Sequence, residues 1–222
     1  MSEVKEDEIS LLEGLARDFG VHLSPTHLSL FRIYLDELWD WNRRVNLTGV
    51  STRERVVTEL FLDSLVPVHH LPLEGRMIDI GSGAGLPGLP FKIYNPRLEL
   101  VLVEVKSKKV SFLKQVVRLM GLTGIEIIRD RIENVEDVIR GKGCDLVTSR
   151  AFAGLHEILC TGSPFLCPGG LLFGFLGSGA ERLLKENLDT VKRCRLRVHE
   201  RIAYVLPGGK SERNIFIFRK EG

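Results

Sequence analysis

The 222-residue sequence predicts an α/β fold, a doubly wound, mostly parallel seven-stranded sheet with an N-terminal helical extension. Three observations carry that expectation. From residue 76 onward, short β-rich runs ("RMIDIG", "LELVLVE", "IEIIRD", "CDLVTSR") alternate with helical patterns such as "SKKVSFLKQVVRLMGL". That alternation marks a parallel sheet covered on both faces. The first strand breaks off in "GSGAGLPG", a stretch with almost no side-chain bulk. The last two strands, "RLRVHERIAYV" and "ERNIFIFRK", are joined only by "LPGGKS", which leaves no room for a crossover helix, so that pair must be antiparallel.

The elements follow in order. "EDEISLLEGLARDFG" places Ile9, Leu12, Leu15, Ala16 and Phe19 at helical spacing and ends in Gly20, a C-cap residue. "SPTHLSLFRIYLDELWDWN" opens with Ser24 as N-cap and Pro25 at the first helical position, and its apolar stripe runs through Leu28, Phe31, Leu35, Leu38 and Trp39. After "NLTGV", Ser51 or Thr52 caps a third helix, "RERVVTELFLDSLVPVHHL". These helices make residues 1–70 an extension. Residues 71–222 then form one compact Rossmann-like domain, in which "PGGLLFGFLG" is the fifth strand and "AERLLKENLDTVKRC" the helix after it.

Composition narrows the function. Hydrophobic residues make up 44% and charged residues 27%, the balance of a soluble globular chain. Its 31 Lys+Arg against 29 Asp+Glu give a net charge of +2, so a nucleic-acid partner would need the cations gathered on one face. The four cysteines form no C-x-x-C pair, and His69 and His70 are adjacent rather than a helical turn apart, so neither a disulfide framework nor a metal site is expected. "MSEVKEDEIS" is no signal peptide and no apolar run reaches spanning length; a cytoplasmic location without membrane attachment is the expectation.

The glycine stretch carries the chemistry. In open α/β sheets ligands bind beyond the carboxyl ends of the strands, beside the point where strand order reverses. Gly81, Gly83 and Gly85, just past Ile80, would let backbone approach a ligand with no Cβ in the way. NAD and S-adenosylmethionine both satisfy that much, and "GAGLPG" fits G-x-G-x-x-G. Glu104 ends the second strand, where an acid takes both ribose hydroxyls; the alternative is a surface carboxylate. In "DRIE", the Ile132 amide and Glu133 carboxylate could meet an adenine edge, or Glu133 could favour a helix start. Pro87 stands where a dinucleotide fold wants a helix N-terminus aimed at pyrophosphate. S-adenosylmethionine has no pyrophosphate and suits the loop better.

With these residues assembled, the chain resembles the bacterial 16S rRNA guanine-N7 methyltransferase family, also called glucose-inhibited division protein B. The resemblance is carried by "WNRRVNLTGV", "FLDSL", "IDIGSGAGLPGLP", "KKVSFLKQV", "DRIE", "VTSRAFAGL", "PGG" and "ERNIFIFRK". It implies a class I S-adenosylmethionine-dependent fold, with the cofactor bound by Gly81, Leu86, Ile132, Glu133 and Arg150. It also implies a guanosine of the decoding-region loop of small-subunit rRNA as substrate. Two positions depart from the family pattern. Leu60, just before "FLDSL", stands in place of the usual His, and Leu176 in "GFLG" in place of a frequent Lys; both remove polar groups near the expected active face.

Guanine N7 carries a free lone pair and needs no general base, so the lack of an obvious base is consistent with that substrate. Cytosine C5 chemistry would need a thiolate, commonly in a Pro-Cys pair, and Cys167-Pro168 is the reverse order. Arg150 is the candidate positioning residue, for the cofactor carboxylate or the O6 edge of guanine, with a salt bridge to a nearby acid as the alternative. Asp79 either meets the cofactor's amino group or anchors the glycine turn. RNA would be held through phosphates by a basic rim drawn from Arg43, Arg44, Lys106, Lys108, Lys109, Arg131 and Arg213. The partner is 16S rRNA or the small subunit, and the working expectation is a monomer. An NAD-dependent oxidoreductase and a non-catalytic ribosome-assembly factor are the competing functions.

Overall fold

A computed structural model describes residues 7–135, 143–150 and 154–222; Ala151, Phe152 and Ala153 of the "VTSRAFAGL" motif lie outside the described residues. The seven strands are β1 (Gly75–Ile80), β2 (Leu98–Val103), β3 (Ile125–Ile128), β4 (Cys144–Ser149), β5 (Leu166–Leu176), β6 (Leu196–Tyr204) and β7 (Arg213–Lys220). They form one sheet in the order β3-β2-β1-β4-β5-β7-β6. The first five run parallel, and β7 lies antiparallel between β5 and β6. Chain order reverses between β1 and β4, which opens the ligand crevice beyond their carboxyl ends.

Side-chain alternation along the strands divides the interior in two. Met77, Leu100, Leu102, Phe173 and Ile217 face one way, and Ile78, Val101, Val103, Leu172 and Phe218 face the other. The first face is covered by the N-terminal helices α1 (Glu8–Asp18) and α2 (Pro25–Asn42), together with α5 (Gly88–Tyr94) and α6 (Ser107–Met120). Its core holds Leu12, Phe31, Leu35 and Phe61 alongside the strand residues, so the helices before residue 70 share one hydrophobic interior with the sheet.

Local chemistry explains the helix ends. The Ser24 side chain accepts from the His27 N–H and Pro25 occupies the first turn, as the sequence predicts. Gly20 and Gly121 take left-handed φ values of 75° and 63° where α1 and α6 stop. Three expectations need correction. The tryptophan packed on the core from α2 is Trp41, 5.8 Å from the Phe112 ring, rather than Trp39; a 3.6-residue period from Phe31 passes through Tyr34, Leu38 and Trp41. The third helix begins at its Thr52 cap but is not continuous. It runs as α3 (Arg53–Val56), a π-helical turn at Val57–Phe61 and α4 (Leu62–Leu65). The helix after β5 is likewise divided, into Ala180–Glu186 and Leu188–Arg193, where the Asn187 side chain donates back to the Leu183 carbonyl at 2.8 Å.

Fully buried Tyr34 joins the extension to the loop after β1. Its ring stacks on Phe61 at 4.8 Å and its hydroxyl donates to the Ala84 carbonyl. Tyr34→Phe keeps the ring and strands that buried carbonyl without a partner. Urea unfolding should show a loss of roughly 1–3 kcal/mol; an unchanged midpoint would mean the hydroxyl does not hold the loop.

Candidate functional site

Beyond Ile80 the backbone turns through three left-handed glycines, Gly81 (φ 70°), Gly83 (φ 58°) and Gly85 (φ 87°). The Gly81 and Ser82 N–H groups both donate to the Val103 carbonyl, at 2.9 and 3.0 Å, and fold the loop over the end of β2. The bare positions serve different ends. A Cβ on Gly85 would lie 2.5 Å from Leu89 Cδ1, so this glycine lets the loop pack on its own following helix. A Cβ on Gly83 would meet nothing closer than Lys109 Nζ at 3.6 Å, so there the backbone is open outward.

Glu104 is fixed beside this loop. One carboxylate oxygen accepts from Gly83 N–H at 2.9 Å and the other from Lys106 N–H at 2.8 Å, and the residue is 6% exposed. Each oxygen keeps a free lone pair, so the group is a pre-oriented double acceptor. It lines a cavity of about 200 Å³ with Gly81, Val105, Asp130, Arg131, Ile132 and Glu133. The structure thus brings together Gly81, Glu104, Ile132 and Glu133 from the sequence-derived set. It adds Val103, Val105 and Asp130, which sequence reasoning missed. Val105 had a signal, an apolar residue directly after a strand-end acid, and it is half exposed at the cavity. Leu86 is instead packed in the core.

Asp79 lies beneath the loop, fully buried. Its Oδ2 accepts from Gly88 N–H at 3.3 Å, and its Oδ1 has no hydrogen-bond partner among the described residues. Burial pushes its carboxyl up to about 7, against the opposing pull of the Gly88 and Ser82 contacts and of Arg150. This is the turn-anchoring arrangement. It also occupies the amide at the start of α5, the group a dinucleotide fold would aim at pyrophosphate.

Arg150, just past β4, stands in a neighbouring slot of about 160 Å³ formed with Asp63, Phe175, Leu176, Gly177, Tyr204 and Arg213. Its guanidinium pairs with Asp63 Oδ2 at 2.8 Å and donates to the Glu59 and Leu60 carbonyls at 2.6 and 3.2 Å. A π-helical turn has a wider hydrogen-bond span than an α-helix, and this one presents those carbonyls to Arg150. Asp63 Oδ1 in turn accepts from Tyr204 at 2.7 Å and Arg213 at 2.9 Å. The salt-bridge alternative for Arg150 is therefore realised. Of the two departures from the family pattern, Leu60 contributes its carbonyl to Arg150 and Leu176 lines the slot.

The basic residues separate into groups. Arg44, Lys106, Lys108 and Lys109 line one groove of about 640 Å³, joined by Arg129, and among the described residues no carboxylate lines it. Val105 borders both this groove and the Glu104 cavity. Arg131 belongs to that cavity, Arg213 to the slot, and exposed Arg43 lies 3.9 Å from Asp40. Sequence reasoning missed Arg129, because only the fold brings the residue after β3 beside the 106–109 segment.

Comparison with known proteins places this geometry. Residues 27–213 match the GidB family model, described as rRNA small subunit methyltransferase G. This chain belongs to that family. A ribosomal RNA small subunit methyltransferase G from Moorella thermoacetica is 36% identical over 221 residues, covering 97% of this chain and 91% of that protein. The same enzyme from Geobacter sp. is 33% identical, covering 93% and 95%. Among solved structures, M. jannaschii TYW2 in complex with AdoMet aligns with a TM-score of 0.57 at 14% identity, over 71% of this chain and 74% of that one. A ribosomal protein L11 methylase from Lactobacillus delbrueckii subsp. bulgaricus gives 0.57 at 12% identity, over 73% and 79%. Those two likenesses show the shared fold. Among the described residues there is no cluster of His, Cys, Asp or Glu that could hold a metal, and no helix long and apolar enough to cross a membrane.

The raised carboxyl of Asp79 sets a pH test. The folded state holds this proton more tightly than the unfolded chain, whose carboxyl titrates near 3.8. Its contribution to stability is therefore fully present below that value and lost as pH rises to about 7. The stability of the unaltered chain minus that of Asp79→Asn should fall across this window by up to about 1.4 kcal/mol per pH unit. A flat difference would show that the carboxyl titrates normally.

Proposed function

We propose that this protein methylates N7 of a guanine in 16S rRNA, taking the methyl group from S-adenosylmethionine and working without a general base. The observation that carries the reading is the fixed carboxylate of Glu104. Both its oxygens are oriented by main-chain N–H groups and keep lone pairs free, in a cavity beside outward-facing glycine backbone. That acceptor pair suits the two ribose hydroxyls of the cofactor. Val105 and Ile132 offer apolar faces for its adenine, and Gly81 and Glu133 complete the wall. When bound, the cofactor supplies an electrophilic methyl group on a sulfonium.

The neighbouring slot fits the target base. Phe175 and Leu176 give it apolar surface, and Arg213 gives it donors suited to the acceptor edge of guanine. Its one carboxylate, Asp63, accepts from Arg150, Arg213 and Tyr204 and is in no position to take a proton. N7 presents a lone pair with no proton to remove, which matches such a site, whereas an exocyclic amine or a ribose hydroxyl would call for a base. Catalysis then rests on holding the base in line, an effect that can reach roughly 7–11 kcal/mol. Arg150 is a positioning residue in this scheme, holding the slot to the helix at residues 59–63. The groove of Arg44, Lys106, Lys108, Lys109 and Arg129 takes RNA phosphates, with Arg43 and Arg131 near it and Arg213 at the slot.

The test is transfer of labelled methyl to small subunits and to free rRNA, with the product mapped by chain cleavage selective for N7-methylguanosine. One labelled guanosine is expected. Label on another atom overturns the base-free mechanism, and S-adenosylhomocysteine binding without transfer would favour an assembly factor. A thermal shift with S-adenosylhomocysteine but none with NADH is expected. Glu104→Ala should weaken S-adenosylhomocysteine binding at least tenfold, a loss of about 1.4 kcal/mol or more. Arg150→Lys keeps the charge but not the spread of donors, and should lower kcat more than it changes cofactor affinity.

A further inference from the structure

A second cavity, of about 610 Å³, lies beyond the slot, between α1, the helical segment around residues 54–59 and the hairpin joining β6 to β7. Arg213 borders both it and the slot, so the two adjoin. Because β7 runs antiparallel to β5, this hairpin projects from the edge where the parallel strands end. We infer that the cavity receives the nucleotide next to the target guanine in the substrate RNA. The inference rests on the rRNA reading above and assigns a further binding site to it.

The walls offer a base and a phosphate separate partners, beside two carboxylates, Glu54 and Glu59, the second of which is paired with Arg55. Leu11, Leu15, Leu206 and Pro207 supply an apolar floor for a base. Lys210 and Ser211 stand on the rim, where a phosphate would lie. Arg55 is engaged by Glu59 at 2.7 Å and Arg213 by Asp63 at 2.9 Å, whereas Lys210 is exposed and has no ion-pair partner among the described residues. The wall between is bare main chain. Gly208 is left-handed (φ 71°), and a Cβ on Gly209 would lie 2.9 Å from the Leu206 carbonyl. The volume falls within the roughly 300–1,000 Å³ of small-ligand sites. The groove of Arg44, Lys108 and Arg129 belongs to the loops after β2 and β3, and this cavity to the opposite half of the sheet. An RNA strand presenting one base to the slot between them would be gripped on both flanks.

The test compares three variants of the full chain in methyl transfer to rRNA. Lys210→Glu reverses the free charge, Ser211→Trp fills the mouth without changing charge, and Arg97→Glu alters an exposed residue before β2 at the opposite edge. Lys210→Glu and Ser211→Trp should each raise the RNA KM about tenfold, with S-adenosylhomocysteine affinity retained as the sign of an intact fold. Arg97→Glu should leave KM unchanged. For Lys210→Glu, the slope of log affinity against log salt should be shallower by about 0.7. Unchanged KM in both cavity variants overturns the inference, as does an equal rise in Arg97→Glu, which would mark a general field effect. Absence of transfer by the unaltered chain overturns the rRNA reading and this inference with it, whereas transfer with unmoved KM overturns this inference alone.

Discussion

Asp63 carries a charge into a place where burial makes it expensive, and the active edge of the sheet is arranged to meet it. The residue is 2% exposed on α4, and stripping water from an ion costs several kcal/mol unless its lone pairs are satisfied. The three donors come from far along the chain, namely Arg150 after β4, Tyr204 at the end of β6 and Arg213 at the start of β7. One carboxylate thereby fixes the helical extension to the far half of the sheet and aligns the residues that wall the slot. Two guanidiniums against one carboxylate leave a net positive charge there, which suits an anionic polymer.

The extension also reaches the cofactor side. The loop after β1 is held from beneath by Tyr34, through the Ala84 carbonyl, and from its outer side by Glu104, through Gly83 N–H. Adjacent residues of one loop thus face opposite neighbours, which the left-handed glycines on both sides of Ala84 permit. Gly83 keeps backbone open outward, whereas Gly85 and Gly88 make room for Leu89 and Asp79. A loop without glycine could not serve both purposes, because Gly85 and Gly88 have no space for a Cβ.

Much of this was legible in the sequence, for identifiable reasons. Alternation of strand and helix, and a hairpin too short for a crossover, set the sheet topology, because period and loop length are local properties. The Ser24 cap and the Gly20 stop were equally local. Glu104 was legible because it stands at a fixed distance past the glycines at a strand end. The π-helical turn at Val57–Phe61 was not, because its residues read as ordinary helix and its freed carbonyls find Arg150 only through the tertiary fold. For the same reason Arg150 could be placed at the end of β4, while its commitment to Asp63 stayed open against a ligand contact. Arg129, Asp130 and the pairing of Tyr34 with Ala84 depend on segments far apart in sequence and carry no local signature.

The mechanism proposed above explains how a site that offers no free base could be an enzyme's. Where the acceptor atom already has a lone pair and charge is moved rather than created, a base or an oxyanion clamp adds nothing, and the chain's task reduces to geometry. Geometry is what the buried network supplies. Asp63 and its donors fix the slot, Glu104 and Tyr34 fix the glycine loop, and both sets are anchored in one interior running from α1 to β7. Under the proposed mechanism, a residue whose donors are spent on structure, such as Arg150, would be no less functional for it, because the position of the slot relative to the Glu104 cavity would itself be the catalytic device.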